Sequence, residues 1–220
     1  MPVGKVIVIT GAGLGLGRAL ARRFAADGDT VIALGRTLSK VQALAEELGA
    51  PHFAVECDVQ SADSVRAAFA EIAARHPKID VLINNAAVYE PFLIKDATDE
   101  QVLSSVLTYF VGPIFTSRAA IPMMEKGSHI INVSSESAVM EFPLLGLYMS
   151  TKAGMERFTQ TLKRELDDDG IRVSVVRAGP MYEEDKEGPS WNPGVAQRVY
   201  ERGMANGINL MRRGVSPATV

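Results

Sequence analysis

Apolar residues along this chain come in two kinds of run that alternate. Short, β-branched, almost uninterrupted runs such as Val6-Ile7-Val8-Ile9 and Val81-Leu82-Ile83 predict strands buried on both faces. Longer stretches with apolar residues three and four apart, such as Met155, Phe158, Leu162 and Leu166, predict helices with one buried face. The expected strands are 6–10, 30–34, 52–57, 81–84, 129–134 and 172–177, and the expected helices 17–27, 39–48, 62–75, 99–126 and 148–168. This alternation predicts an α/β fold built on a single doubly wound parallel sheet with helices on both faces. Ligands bind such a sheet at the carboxyl ends of its strands, where Gly11, Asp58, Asn85, Ser135 and Gly179 fall.

The first strand runs into Thr10-Gly11-Ala12-Gly13-Leu14-Gly15-Leu16-Gly17 and then into a helix. Strand, glycine turn and helix let the backbone approach a pyrophosphate and aim the positive end of a helix at it. The spacing is T-G-x-x-x-G-x-G rather than G-x-G-x-x-G, since Leu16 and Arg18 stand where a third glycine would be needed. No lysine followed by Ser or Thr comes after the glycines, which argues against a nucleotide-triphosphate loop.

Tyr148 and Lys152 are four apart on the last helix and share a face, and Ser135 stands thirteen residues before the tyrosine, at the end of the fifth strand. An ammonium beside a phenol favours the phenolate, so this pair is suited to general acid–base chemistry on a carbonyl or an alcohol. Strand alternation turns Ser134 to the other side. A second Y-x-x-x-K, Tyr182 to Lys186, lies in an acidic segment flanked by Pro and Gly and reads as loop.

Together with Asn84-Asn85-Ala86-Ala87 and Ala178-Gly179-Pro180, these motifs resemble, in order and over nearly the whole chain, the short-chain dehydrogenase/reductase family. The resemblance implies a Rossmann-type fold and hydride transfer between a nicotinamide dinucleotide and a carbonyl or secondary alcohol. It assigns proton exchange to Tyr148, orientation of the substrate oxygen to Ser135, and to Lys152 both a grip on the nicotinamide ribose and a lowered Tyr148 pKa. Cofactor contacts are implied for Gly11, Gly13, Gly15, Leu16 and Gly17, for Asp58 and Val59, for Asn85, Ala86 and Ala87, and for Gly179 and Met181. Asp58 reads equally well as a turn or helix-capping residue. At the end of the second strand an acid that would bind the ribose 2′-hydroxyl is absent and Arg36 is present, which favours NADP(H) over NAD(H).

Several positions depart from the family pattern. Tyr109 occupies the place of an asparagine that holds a proton-relaying water, so the relay is rerouted or blocked, or Tyr109 is simply core. Glu183 replaces a hydroxyl residue. The Pro/Gly-rich and acidic stretch after Gly179 contains Trp191, and the resemblance makes 180–211 a substrate lid. Because the chain stops at Val220, where Ser216-Pro217-Ala218 resembles a helix start, a further C-terminal helix and a last strand are expected to be absent.

With 220 residues, 47% of them apolar, 1–220 is expected to be one dinucleotide-binding and catalytic domain. A net charge of −3 gives no footprint for nucleic acid, and no apolar run is long enough to span a membrane. Cys57 alone cannot form an internal disulfide, and with no signal peptide in view the expected compartment is the cytoplasm. His52, His76 and His129 lack ligand spacing, so no metal is expected. A homodimer or homotetramer is expected. Two alternatives stay open: a nucleotide-binding regulatory protein with little turnover, and an NAD-dependent alcohol dehydrogenase.

Overall fold

The β-branched runs pair side by side because each needs apolar cover on two faces and hydrogen-bonded neighbours along its length. The computed structural model describes residues 4–88, 90–142, 144–179, 181, 194, 197–198, 201 and 205. Strands β1 (Val6–Thr10), β2 (Thr30–Gly35), β3 (Phe53–Glu56), β4 (Val81–Asn84), β5 (His129–Ser135) and β6 (Arg172–Ala178) form one parallel sheet in the order β3-β2-β1-β4-β5-β6. Alternation along β1 divides the core. Ile7 and Ile9 point to one face, with Val41 and Leu44 of α2 (Leu38–Leu48) and Ala21 of α1 (Gly15–Ala26). Val8 points to the other, with Phe69 and Ile72 of α3 (Ala62–Arg75). Each fully buried aliphatic side chain in these layers stabilises the fold by about 1.5–3 kcal/mol.

The expected helix over 99–126 is not continuous. It runs as α4 (Asp99–Val106), a π turn (Leu107–Val111), α5 (Gly112–Ala120) and a 3-10 turn (Ile121–Met123). Pro113 has no N–H for the Tyr109 carbonyl, and Pro122 has none for that of Arg118, so the α-helical ladder fails at both places. The first interruption falls at Tyr109.

The expectation of a fold without a C-terminal helix and last strand is overturned. Helix α6 (Gly146–Glu165) and strand β6 close the described structure, and β6 pairs with β5 from His129↔Arg172 to Ser135↔Ala178. Without β6, the outer edge of β5 would leave a row of N–H and C=O groups unpaired. Leu162 of α6 and Val173 of β6 join the same buried cluster. Tyr182, Glu183, Lys186, Trp191 and most of 180–211 lie outside the described residues, as does 216–218.

Candidate active site

Between β1 and β4 the strand order reverses, because the chain leaves β1 for β2 on one side and β4 for β5 on the other. That reversal opens a crevice at the strand ends. Gly11 has φ +66°, and a Cβ there would sit 2.7 Å from the Ala86 Cα. Gly15, with φ +53°, starts α1, and a Cβ at Gly17 would collide with the Gly11 carbonyl oxygen. Side chains of the neighbouring strands hold this turn. The Asn85 amide donates to the carbonyls of Thr10 at 3.0 Å and Gly11 at 3.2 Å, and Thr10 Oγ1 accepts from the backbone N–H groups of Asn85 and Ala86, each at 3.0 Å.

The crevice is a cleft of about 510 Å³. It runs from exposed Arg36 and half-buried Asp58, past Gly11, Gly13, Gly15 and Leu16, to Ser135, Tyr148 and Lys152. Val59, Asn85, Ala86, Ala87, Gly179 and Met181 also line it. Two expected residues do not reach the wall. Gly17 lies beneath the turn, packed on Gly11 and Asn85, and Tyr109 lies behind Tyr148. Asp58 also does the turn work that was the alternative for it, accepting from the Gln60 N–H at 3.0 Å.

At the far end, Ser135 and Tyr148 line the cleft together. Burial pushes the Tyr148 phenol up from its ordinary value, and the hydroxyls of Ser135 and Ser137 pull it partly back. The expected lowering by Lys152 is therefore not the leading effect. Lys152 Nζ lies 5.9 Å from the Tyr148 ring centroid and donates to the Val133 carbonyl at 2.6 Å. Only 6% exposed, Lys152 is itself pushed down to about 8 by burial, opposed by the negative charge of Glu156.

Glu156 is one helical turn beyond Lys152 and is buried. Its carboxylate takes two bonds from Arg177, at 2.9 and 2.7 Å, and one from Ser134 at 2.6 Å, which together hold it below the usual carboxylate range. Ser134 is thus turned to α6, as strand alternation requires. Tyr109, 2% exposed, meets the Tyr148 ring edge-on at 4.9 Å between centroids and 82°, with Lys152 Nζ 5.1 Å from its own centroid.

Sequence reasoning missed Ser137, Glu156 and Arg177. Glu156 had a readable signal, a charge four residues beyond Lys152 on the face that goes inward. Arg177 is on a strand otherwise rich in Val, and Ser137 follows Ser135 by two, a spacing with no message of its own. Cys57 is buried and its thiol is pushed up to about 12 by burial. Among the described residues no three His, Cys, Asp or Glu side chains gather as metal ligands.

Comparison with known proteins places the chain as a whole. The family model for short chain dehydrogenases covers residues 5–187. The chain belongs to the short-chain dehydrogenase family. It is 36% identical over 177 residues to the uncharacterized short-chain type dehydrogenase/reductase y4vI of Sinorhizobium fredii, and 36% identical over 187 residues to dehydrogenase/reductase SDR family member 7B of Danio rerio. Each match takes in 80% of this chain, but only 32% of the first relative and 60% of the second.

Among solved structures of this dehydrogenase fold, a blue fluorescent protein from a metagenomic library in complex with NADPH superposes with a TM-score of 0.78 at 29% identity, over 84% of this chain and 79% of that one. A 3-ketoacyl-(acyl-carrier-protein) reductase from Brucella melitensis complexed with NADH gives 0.76 at 31% identity, over 82% and 76%.

Proposed function

We propose that this chain is an NAD(P)H-dependent oxidoreductase that transfers a hydride between a nicotinamide cofactor and a carbonyl or secondary alcohol, with NADP(H) preferred. The observation that carries the reading is the gathering of Ser135, Tyr148 and buried Lys152 at one end of a cleft whose other wall is the glycine turn. The cradle fits a dinucleotide, because Gly11 and Gly17 leave no room for a Cβ and Gly13 and Gly15 bring main chain to the cleft wall. A bound nicotinamide supplies or accepts the hydride at the substrate carbon.

The chain's own residues handle the oxygen. Ser135 orients it by a hydrogen bond, and Tyr148 gives it a proton in reduction or takes one in oxidation. Lys152 lines the cleft beside both and holds the ribose. Arg36, exposed in the cleft at the end of β2, supports the NADP(H) preference by pairing with a 2′-phosphate. Relatives of the same fold carry either cofactor, NADPH in one and NADH in the other.

Assembly as a homodimer or homotetramer belongs to the same proposal, supported by Leu103 standing 59% exposed on α4, and sedimentation equilibrium reads it. The test of function is NADPH and NADH consumption against a panel of ketones and aldehydes. Turnover with NADPH exceeding that with NADH is expected. Dinucleotide binding with no turnover of any carbonyl would make the chain a nucleotide-binding regulator instead.

A further inference from the structure

Ser137 is a third hydroxyl at the reacting end of the cleft, and the inference drawn from it rests on the oxidoreductase reading above. It sits on the 3-10 turn Glu136–Val139 that follows β5 and is 4% exposed. Its Oγ lies 2.8 Å from Ser135 Oγ, and its backbone N–H donates to the same oxygen at 3.2 Å. Both serine hydroxyls also act on the Tyr148 phenol, pulling it partly back down against burial. The three hydroxyls therefore form one cluster, in which Ser135 Oγ accepts from both the hydroxyl and the N–H of Ser137.

The cluster changes when Tyr148 gives up its proton. A phenolate has no hydrogen to donate and accepts from both serines at once. A substrate oxygen that enters the site draws Ser135 toward itself, because Ser135 is the residue that orients it. Ser137 is then the donor left on the tyrosine oxygen. We propose that Ser137 is a positioning residue for this reaction: it fixes the Ser135 hydroxyl through its N–H, and it keeps a hydrogen bond on the Tyr148 oxygen while Ser135 turns to the substrate.

During reduction the Tyr148 O–H bond breaks, its proton goes to the substrate oxygen, and the carbonyl carbon gains the hydride that the dinucleotide supplies. The phenolate left behind is what Ser137 stabilises, and in oxidation the same phenolate is the base. Charged and titratable groups around Tyr148 are Lys152 on its own helix, Tyr109 from the π turn, and Glu136 from the turn that carries Ser137. Glu136 points its carboxylate at Gly179, 3.6 Å from where a Cβ would stand. The Glu156–Arg177 pair lies one turn farther along α6.

The test compares Ser137→Ala, Ser137→Thr and Ser135→Ala in the full chain. Tyrosine labelled with ¹³C at Cζ reports ionisation by NMR, and Tyr148→Phe assigns the signal. Removing one donor from a phenolate should raise the Tyr148 midpoint by about one pH unit. Alcohol oxidation near neutral pH should fall about tenfold with the base less populated, and the rising limb of its pH–rate profile should move up by the same amount. Ser137→Thr, which keeps the hydroxyl, should restore both.

A Tyr148 midpoint and pH profile unchanged in Ser137→Ala, with Ser135→Ala moving both, would overturn the proposal. So would identical midpoints in the alanine and threonine variants. If Ser137→Ala does not fold, Ser137→Cys keeps the volume while donating weakly, and the same midpoint decides. A midpoint that moves in a protein that turns over no carbonyl would leave the role of Ser137 at Tyr148 standing and remove the oxidoreductase reading, so the two fail separately.

Discussion

At the glycine end of the cleft the wall is main chain, fixed by positive-φ glycines and by the Asn85 amide on two carbonyls. At the β5–α6 end the wall is side chain, with Lys152 and Glu156 only 6% and 8% exposed. The first arrangement contributes shape, with the Thr10 and Gly11 carbonyls held by Asn85 before any ligand comes. The second holds ionisable groups where burial opposes their charge, which destabilises the fold and tunes the chemistry. Substitutions should therefore separate the two ends: changes in the cradle weaken binding, and changes at the far end alter rate and pH dependence.

The largest effect is expected at Tyr148. Tyr148→Phe keeps the ring and its edge-on packing against Tyr109 but removes the proton, so the chemical step should fall by at least ~10²-fold with dinucleotide affinity unchanged. Single-turnover rates beside binding calorimetry measure both. Tyr182→Phe should do little, and the reverse pattern would move the active Y-x-x-x-K to the other segment.

In the cradle half, Arg36→Ala should weaken NADP(H) by roughly 1.5–3 kcal/mol, the worth of a hydrogen bond to a charged group, and leave NAD(H) nearly unchanged. Titration calorimetry with both dinucleotides reads the difference. Equal losses would mean that Arg36, exposed at the cleft edge, is a solvated surface residue and that the half-and-half division of labour is wrong there.

What the sequence made legible divides along the same line. The glycine turn was readable, because only residues without a Cβ fit where Gly11 meets Ala86 and Gly17 meets Gly11, and that requirement leaves its mark as spacing. Strands β1 and β4 fell on their expected bounds, since a continuous apolar run admits few registers. The break at Tyr109 was written in Pro113 but hidden by apolar periodicity that runs through it. The acid–base end was legible only as a list of residues. Nothing in Tyr148 and Lys152 four apart tells that burial outweighs the lysine at the phenol, or that Ser137 holds the Ser135 hydroxyl beside it. Those are tertiary facts, set by how far α6 sinks against β5. The helix over 148–168 and the strand over 172–177 were legible as α6 and β6, but the expectation that the fold lacks its closing helix and strand failed because it reckoned from the chain end rather than from the hydrogen-bonding needs of β5.

Lys152 gives the stability counterpart of the comparison. Its folded value, about 8, lies below its ordinary 10.5 because burial disfavours the ammonium. Below pH 8 both folded and unfolded chains hold the proton, and the folded one bears the whole burial penalty. Between pH 8 and 10.5 the folded chain releases the proton while the unfolded chain keeps it, so stability rises with pH across that window. Lys152→Met should therefore stabilise the fold at pH 7 by about 1–3 kcal/mol, less whatever the Val133 carbonyl loses, and abolish turnover. Its advantage should shrink toward pH 10.5. Urea melts of both proteins at several pH values measure this, and a constant gap would show that the lysine is not held at a penalty.

The smallest expected effect on turnover, and the sharpest test of how the far end moves its protons, is at Tyr109. Its ring fills the space behind Tyr148 and beside Lys152, where the family resemblance implies an asparagine and a water. A phenol ring in that place blocks or reroutes a water relay, so proton delivery rather than hydride transfer should limit turnover. Tyr109→Asn should then raise turnover a few-fold or shift the pH–rate profile, and in the starting protein the solvent deuterium effect should exceed that from deuterated NADPH. The substitution also removes a buried ring, which destabilises the fold by about 3–5 kcal/mol if the cavity stays empty, so rates are compared well below the melting temperature. If Tyr109 is only packing, the variant loses stability and gains nothing. Unchanged or lower turnover with a dominant cofactor isotope effect would rule out the relay reading, and the side-chain wall behind Tyr148 would then be as purely structural as the glycine turn opposite.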